Sequence, residues 1–247
     1  MRFAALVAVL AMAGACATGP ATDDRPRVEQ VQPASLGAPH GLEFKVVDDG
    51  SNYMKEMLMH VGIARDGTST DPDAIADGVS ADIDRWRTQN NTAIADFYLT
   101  AKARSDLTRY VADAAAKDPK LVVPMDRELA FEQVAPDRWR TYLVYSTAEL
   151  DTTSIAHATV GVDPNTDRSI VQLDFTPAAA RRFGDLTTRI SGHKLAVLVD
   201  GTVTSAPIIN GPIMGGRASI SFGGTDPGSQ DVQAHALADS LNARPAR

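Results

Sequence analysis

Residues 192–217 read Gly192-His-Lys-Leu-Ala-Val-Leu-Val-Asp-Gly-Thr-Val-Thr-Ser-Ala-Pro-Ile-Ile-Asn-Gly-Pro-Ile-Met-Gly-Gly-Arg217. No other stretch limits the possible folds so sharply. Leu195 to Val199 is an uninterrupted apolar run of strand length, and Asp200-Gly201 is a dipeptide that accepts positive φ at both central positions of a tight hairpin. Thr202 to Ala206 returns with β-branched residues, and Pro207 ends the strand or confines it to an edge. The expectation is a β-hairpin followed by a Gly/Pro-rich loop. Upstream, Thr176 and Pro177 supply an N-cap and a first-turn proline for a helix over 177–190. Ala180, Phe183, Leu186, Thr187 and Ile190 share one face, and Gly192 provides a left-handed stop. With the alternating run 169–175, this predicts strand, helix, strand and hairpin in succession.

The N-terminus carries a separate message. Arg2, the apolar run Phe3–Ala13 and the small residues before Cys16 describe a secretory signal peptide over residues 1–15. The run falls short of the roughly 20 residues that span a bilayer. Cys16 is the only cysteine. Its place directly after small residues resembles a bacterial lipoprotein box, although position 13 is Ala where Leu is favoured. We therefore expect acylation of Cys16 and a lipid anchor. The alternative is ordinary cleavage after Ala15, which gives an unanchored periplasmic protein. Ala17 after the cysteine favours the outer membrane over the inner.

About 230 residues follow the signal, enough for one large domain or two small ones. Apolar residues make up 44% of the chain, enough for a packed core. One cysteine excludes an intramolecular disulfide. A net charge of -7 and a pI near 5.2 argue against nucleic-acid binding and against a polybasic membrane contact.

Residues 16–41, rich in Pro, Ala and Gly, read as a flexible tether. Leu42-Glu-Phe-Lys-Val-Val-Asp48 alternates as a first strand. Ser51-Asn52 opens a helix whose stripe is Tyr53, Met54, Met57 and Leu58. Residues 65–80 read as loop. Ile83, Trp86, Ile94, Phe97 and Tyr98 have mixed helical spacing, and Leu107, Tyr110, Val111 and Ala114 have a clear one. Residues 61–118 are accordingly expected to be a mostly helical insert. Strands are expected over 120–123, 128–134 and 139–146, over 154–160 and over 169–175. A terminal helix over 229–242 carries Val232, Leu237, Ala238 and Leu241.

The hairpin pattern G-x-x-L-A-(apolar)-x-(apolar)-D-G-x-(apolar)-x-S-A-P-x-I-x-x-x-I-x-G-G resembles the first periplasmic domain of SecD, the accessory subunit of the bacterial protein-export translocon. Leu42–Asp48 is similar to that domain's L-E-F-R-x-V-D strand. Phe175–Thr187 is similar to the helix that enters the motif, and Ala236-Leu237-Ala238 with Leu241 to its A-x-x-L-A-x-x-L helix. The resemblance covers about 42–60 and 120–242. It implies an α+β fold, a ferredoxin-like head (β-α-β plus hairpin) on a mixed base: base over 42–145 with the insert at about 61–118, head and terminal helix over 146–247. It makes Gly192, Asp200, Gly201, Pro207, Gly215 and Gly216 structural positions of the motif. Phe222 stands where the family commonly has Gly. The resemblance stops before the family's membrane helices, so the expectation is a stand-alone, lipid-anchored relative of the head on the periplasmic side. Its expected partners are unfolded exported polypeptides or Sec translocon subunits. The alternative is an envelope binding module that kept the fold outside the Sec pathway.

No constellation in the sequence suggests catalysis, and no cofactor is expected. There is no Gly-x-Ser-x-Gly elbow for Ser205. His40, His60, His157, His193 and His235 have no metal-ligand spacing. Asp163-x-Asn165-x-Asp167 with Asp174 partly imitates a calcium loop, but Arg168 stands at the obligatory Gly position, and a hairpin turn is the favoured reading. Gly215-Gly216-Arg217 lacks the Lys-Ser/Thr ending of a phosphate loop. Ile208, Ile209, Ile213 and Met214 surround the Gly/Pro loop. They are the candidate polypeptide-binding residues if exposed and core residues if not.

Overall fold

The computed structural model describes residues 41–60, 78–222 and 227–243. The signal, Cys16, the tether and much of the expected 65–80 loop lie outside these residues. In chain order the elements are β1 (Leu42–Val46), α1 (Asn52–His60), β2 (Val79–Arg87), β3 (Ala93–Ala101), α2 (Arg104–Lys117), β4 (Arg127–Ala135), β5 (Arg138–Tyr145), β6 (Leu150–Asp151), β7 (Ile155–Asp163), β8 (Arg168–Phe175), α3 (Pro177–Arg189), β9 (Leu195–Val199), β10 (Thr202–Ser205), β11 (Arg217–Ser221) and α4 (Pro227–Asn242).

The class is α+β, as expected. An eight-stranded sheet runs β2-β3-β5-β4-β10-β9-β1-β6, and a three-stranded antiparallel sheet runs β11-β8-β7. The small sheet shares one core with α3, α4 and residues of β1 and β9. Phe44, Phe175 and Phe183 meet there with ring centroids 4.7 to 6.1 Å apart. Phe222 is buried in the same core. A second core lies under α1 and α2. It contains Tyr53, Met54, Met57, Leu58, Leu107, Tyr110, Val111 and Ala114, both helical stripes as predicted. A third cluster, including Val47, Tyr142, Leu198 and Val203, packs β4, β5, β9 and β10 side by side.

The structure corrects several expectations. Residues 79–87 and 93–101 are a long antiparallel hairpin, in register from Val79↔Ala101 to Arg87↔Ala93, where helix was expected. Only Arg104–Lys117 of that region's described residues 78–118 is helical. The missed signal was Asn90-Asn91 flanked by β-formers, and Asn91 takes the positive φ that Asn tolerates in a turn. Pro119–Leu121 is a 3-10 turn where a strand was expected, with Asp118 accepting from the Lys120 N–H. In α4, Val232 is exposed, and the buried residues include Ala234, Leu237, Ala238 and Leu241.

The expected β-α-β succession is present in order, but its two strands lie in different sheets. β8 is occupied on both sides, by β7 and β11. β9 pairs instead with β1 along its whole length and with β10 through the hairpin. β10 in turn meets β4 in parallel at Val203↔Glu132. The large sheet therefore runs across the expected base–head boundary at 145/146.

Candidate functional site

The motif hairpin forms as its residues dictate. Asp200 and Gly201 both take positive φ, the requirement of a two-residue turn whose twist matches the strands. Asp200 also ties down the start of β1: its carboxylate accepts from the Gly41 N–H at 2.8 Å, and its own N–H donates to the Gly41 carbonyl at 2.9 Å. Beyond β10, Pro207–Ile209 pairs back on the chain that enters β9. The Leu195 N–H donates to the Pro207 carbonyl at 3.0 Å, and the Gly192 N–H to the Ile209 carbonyl at 2.7 Å.

The loop then crosses α3. The Ile213 N–H donates to Thr187 Oγ1 at 2.9 Å, and the Met214 sulfur lies 2.8 Å from where a Cβ on Gly184 would fall. Gly184 thus permits the loop to approach the helix. Gly216 lies close against Ala180, whereas a side chain at Gly215 would meet open space. Among the four candidate contact residues the structure makes a distinction. Ile209, 5% exposed, is a core residue, the second of the two alternatives left open for it, and is withdrawn from the candidate contact residues. Ile208 and Ile213 are half-buried. Met214 is 73% exposed and is the member a partner can reach. Sequence alone did not separate these residues, because a Gly/Pro loop has no periodicity to assign inward and outward positions.

The β2–β3 hairpin closes over this region. Trp86 Nε1 donates to the Gly192 carbonyl at 2.8 Å, and Gln89 donates to the Asn210 carbonyl. Gly192, itself at positive φ, is pressed so closely by Thr88 that a Cβ would lie 2.8 Å from the Thr88 Cβ and nearer still to its methyl. This second constraint on Gly192, beyond its left-handed φ, depends on the β2–β3 hairpin and has no counterpart in the helix expected there.

Beneath the hairpin lies a buried ionic cluster that sequence reasoning missed. Lys194, in the variable part of the motif, reaches Asp96 at 2.6 Å and Asp84 at 2.7 Å. Arg140 reaches the same carboxylates at 3.3 and 3.1 Å, and its guanidinium lies 3.6 Å from the Tyr98 ring centroid. Burial drives the Asp96 carboxyl above its ordinary value despite both cations. At the more exposed Asp84, burial acts the same way but is outweighed by the Lys194 hydrogen bond and the Arg140 charge, so its carboxyl is lowered. Burial also pushes the Tyr98 hydroxyl up to about 12. Two cations and two carboxylates balance, as groups removed from water require.

On the other side of Lys194, His193 Nδ1 lies 2.5 Å from Asp49 Oδ1, and the Lys194 backbone N–H donates to Asp49 Oδ2 at 2.8 Å. His193 lines a cleft of about 370 Å³ with Val46, Asp48, Tyr145, Glu149 and Ile190. The partial calcium pattern is a hairpin turn, as favoured: the Asn165 N–H donates to Asp163, and Asp174, far along β8, pairs with Arg217 at 2.7 Å. His235 stands near Asp231 in α4, and His157 lies in β7. Ser205 ends β10. Cys16 falls outside the described residues. Among the described residues no helix is long and apolar enough to cross a membrane.

Comparison with known proteins adds an independent line. The family model of the SecDF P1 head subdomain matches residues 125–243, a little under half of the chain. The protein translocase subunit SecD of Thermobaculum terrenum is 37% identical over 82 residues, 33% of this chain and 15% of that protein. SecD of Acidaminococcus fermentans is 41% identical over 64 residues, 26% of this chain and 14% of that protein. The chain thus spans about a seventh of the length of these curated relatives. Among solved structures, one described as a membrane component SecDF that enhances protein export aligns over 81% of this chain and 92% of its own, at 19% identity and a TM-score of 0.35. The sequence similarity of this chain is therefore to the P1 region of SecD-family proteins, and residues 125–243 are the part matched by the SecDF P1 head subdomain.

Proposed function

We propose that this chain is a non-enzymatic, SecD-like protein of the periplasmic side of the cell envelope, anchored through Cys16, that assists protein export by contacting exported polypeptides or the translocon. The observation that carries this reading is a coincidence of place. The segment similar to the P1 head includes the loop that presents Met214, an exposed, flexible and polarisable apolar side chain of the kind used on adaptable binding surfaces. Ile208 and Ile213, half-buried, border it in sequence.

The test places a photo-crosslinking residue at position 214 of the full chain, expressed in its own envelope, with position 232 on α4 as an exposed control. Recovery of unfolded exported chains or translocon subunits from position 214 and not from 232 supports the reading. Recovery of folded envelope proteins alone, or equal labelling at both positions, sinks it; capture of folded envelope proteins specifically at 214 would favour an envelope binding module outside the Sec pathway. Fractionation tests the anchor: Cys16→Ser is expected to release the protein from the membrane fraction.

A further inference from the structure

The loop after the motif hairpin lies along one face of α3. Its contacts fall in turn on Thr187, Gly184 and Ala180, which the helical period places on the same side. The Ile213 N–H donates to Thr187 Oγ1 at 2.9 Å, the Met214 sulfur occupies the space that a Cβ on Gly184 would take, and Gly216, at positive φ, lies against the Ala180 methyl. The Thr187 hydroxyl is buried and fixed to the helix, donating to the Phe183 carbonyl at 2.8 Å.

The middle contact is made by a reactive group. The Met214 thioether touches α3 on one side while the residue is 73% exposed, so an oxidant reaches the sulfur without unfolding. Met54 and Met57 are buried in the core under α1. Met125 is wholly exposed, so a change at its sulfur disturbs no packing. Oxidation turns a thioether from a soft apolar group into a bulkier, polar and chiral one. At Met214 the added oxygen must either crowd against Gly184 or turn the side chain off the helix.

We propose that Met214 is an oxidation-sensitive latch, whose conversion to the sulfoxide frees the loop 213–216 from α3. With hydrogen peroxide the sulfur lone pair attacks one oxygen. The S–O bond forms, the O–O bond breaks, and the leaving hydroxide takes the remaining proton and departs as water. The sulfur is oxidised and the peroxide reduced. Sulfoxide reductases reverse the step. The inference concerns the loop's own seat and rests on no part of the export reading.

The protein is treated with hydrogen peroxide, each methionine is mapped by peptide mass spectrometry, and deuterium exchange of the Ile213 amide is followed. Positions 125 and 214 are expected to oxidise well ahead of 54 and 57. Ile213 exchange is expected to quicken roughly threefold to tenfold, the worth of one hydrogen bond, and to slow again after reduction by sulfoxide reductases of both epimer specificities. Met214→Leu should keep exchange slow after the same treatment, with position 125 still oxidised. Gly184→Ala, which suits a helix but fills the sulfur's seat, should quicken Ile213 exchange with no oxidant present.

Unchanged Ile213 exchange once position 214 is oxidised, equal quickening in Met214→Leu, oxidation at 214 no faster than at 54 and 57, or slow exchange in Gly184→Ala overturns the proposal.

Discussion

Lys194 offers a direct test of how the motif strand is held to the β2–β3 hairpin. Lys194→Met keeps the aliphatic stem and deletes the charge. Asp96, whose side chain is 5% exposed, is then left with Arg140 alone at 3.3 Å, which Asp84 must share. The cluster passes from neutral to a net charge of -1 in a site from which water is largely excluded. Removing one partner of a buried pair costs about 3–5 kcal/mol. For a fold of this size each kcal/mol moves Tm by roughly 2–4 °C, so a fall of roughly 6–20 °C is expected. Lys194→Met/Asp96→Asn restores neutrality, with Arg140 and Asp84 as the surviving pair. It should be no less stable than Lys194→Met alone, with a coupling between the two changes of about 1–3 kcal/mol. Urea unfolding followed by tryptophan fluorescence reads the cluster directly, since Lys194 Nζ lies 5.0 Å from the Trp86 ring centroid. The account is refuted if Lys194→Met costs less than about 1 kcal/mol, or if the two changes add within about 0.5 kcal/mol.

Further outcomes follow from the same geometry. Gly192→Ala should destabilise by about 1–3 kcal/mol through its φ alone, with an added share from the Thr88 overlap that Thr88→Ala relieves; denaturant midpoints of the two single variants and the double variant separate these shares. Phe183→Ala, which opens the Phe44–Phe175–Phe183 contact, should cost about 3–5 kcal/mol, measured by the same unfolding. The Asp84 carboxyl is lowered in the fold, so its contribution to stability is present above its ordinary value of 3.8 and lost as pH falls through the depressed value. Asp84→Asn should therefore flatten the acid limb of the stability profile below about pH 4. Asp96 acts with the opposite sign: its raised carboxyl keeps a proton in the fold that the unfolded chain has released, so its contribution declines as pH rises through the window above 3.8.

How far the sequence could be read depended on whether the information was local. The Asp200-Gly201 turn, the Thr176 cap, the Pro177 start and the left-handed Gly192 were legible because each is set by a residue's own φ preference or a neighbour's hydrogen bond. The stripes of α1 and α2 were legible because one-sided burial imposes a 3.6-residue period. The long hairpin 79–101 was not: Ile83, Trp86, Ile94 and Phe97 imitate helical spacing, because β2 and β3 have side chains packed on both faces. Strand alternation is then blurred, and only the Asn90-Asn91 turn betrays the hairpin.

What tertiary structure alone decided is the company each element keeps. Local pattern set β8, α3 and β9 in order, but pairing assigned β8 to the small sheet and β9 to the large one, since β1, from a distant part of the chain, competes for the β9 edge. Lys194 and His193 read as variable positions of a motif. Their partners Asp49, Asp84 and Asp96 come from other elements, and no periodicity encodes a contact between residues that far apart. The same holds for the loop: composition identified Ile209 and Met214 as equally apolar, and only packing against α3 and the β9 entrance buried the first and left the second to solvent.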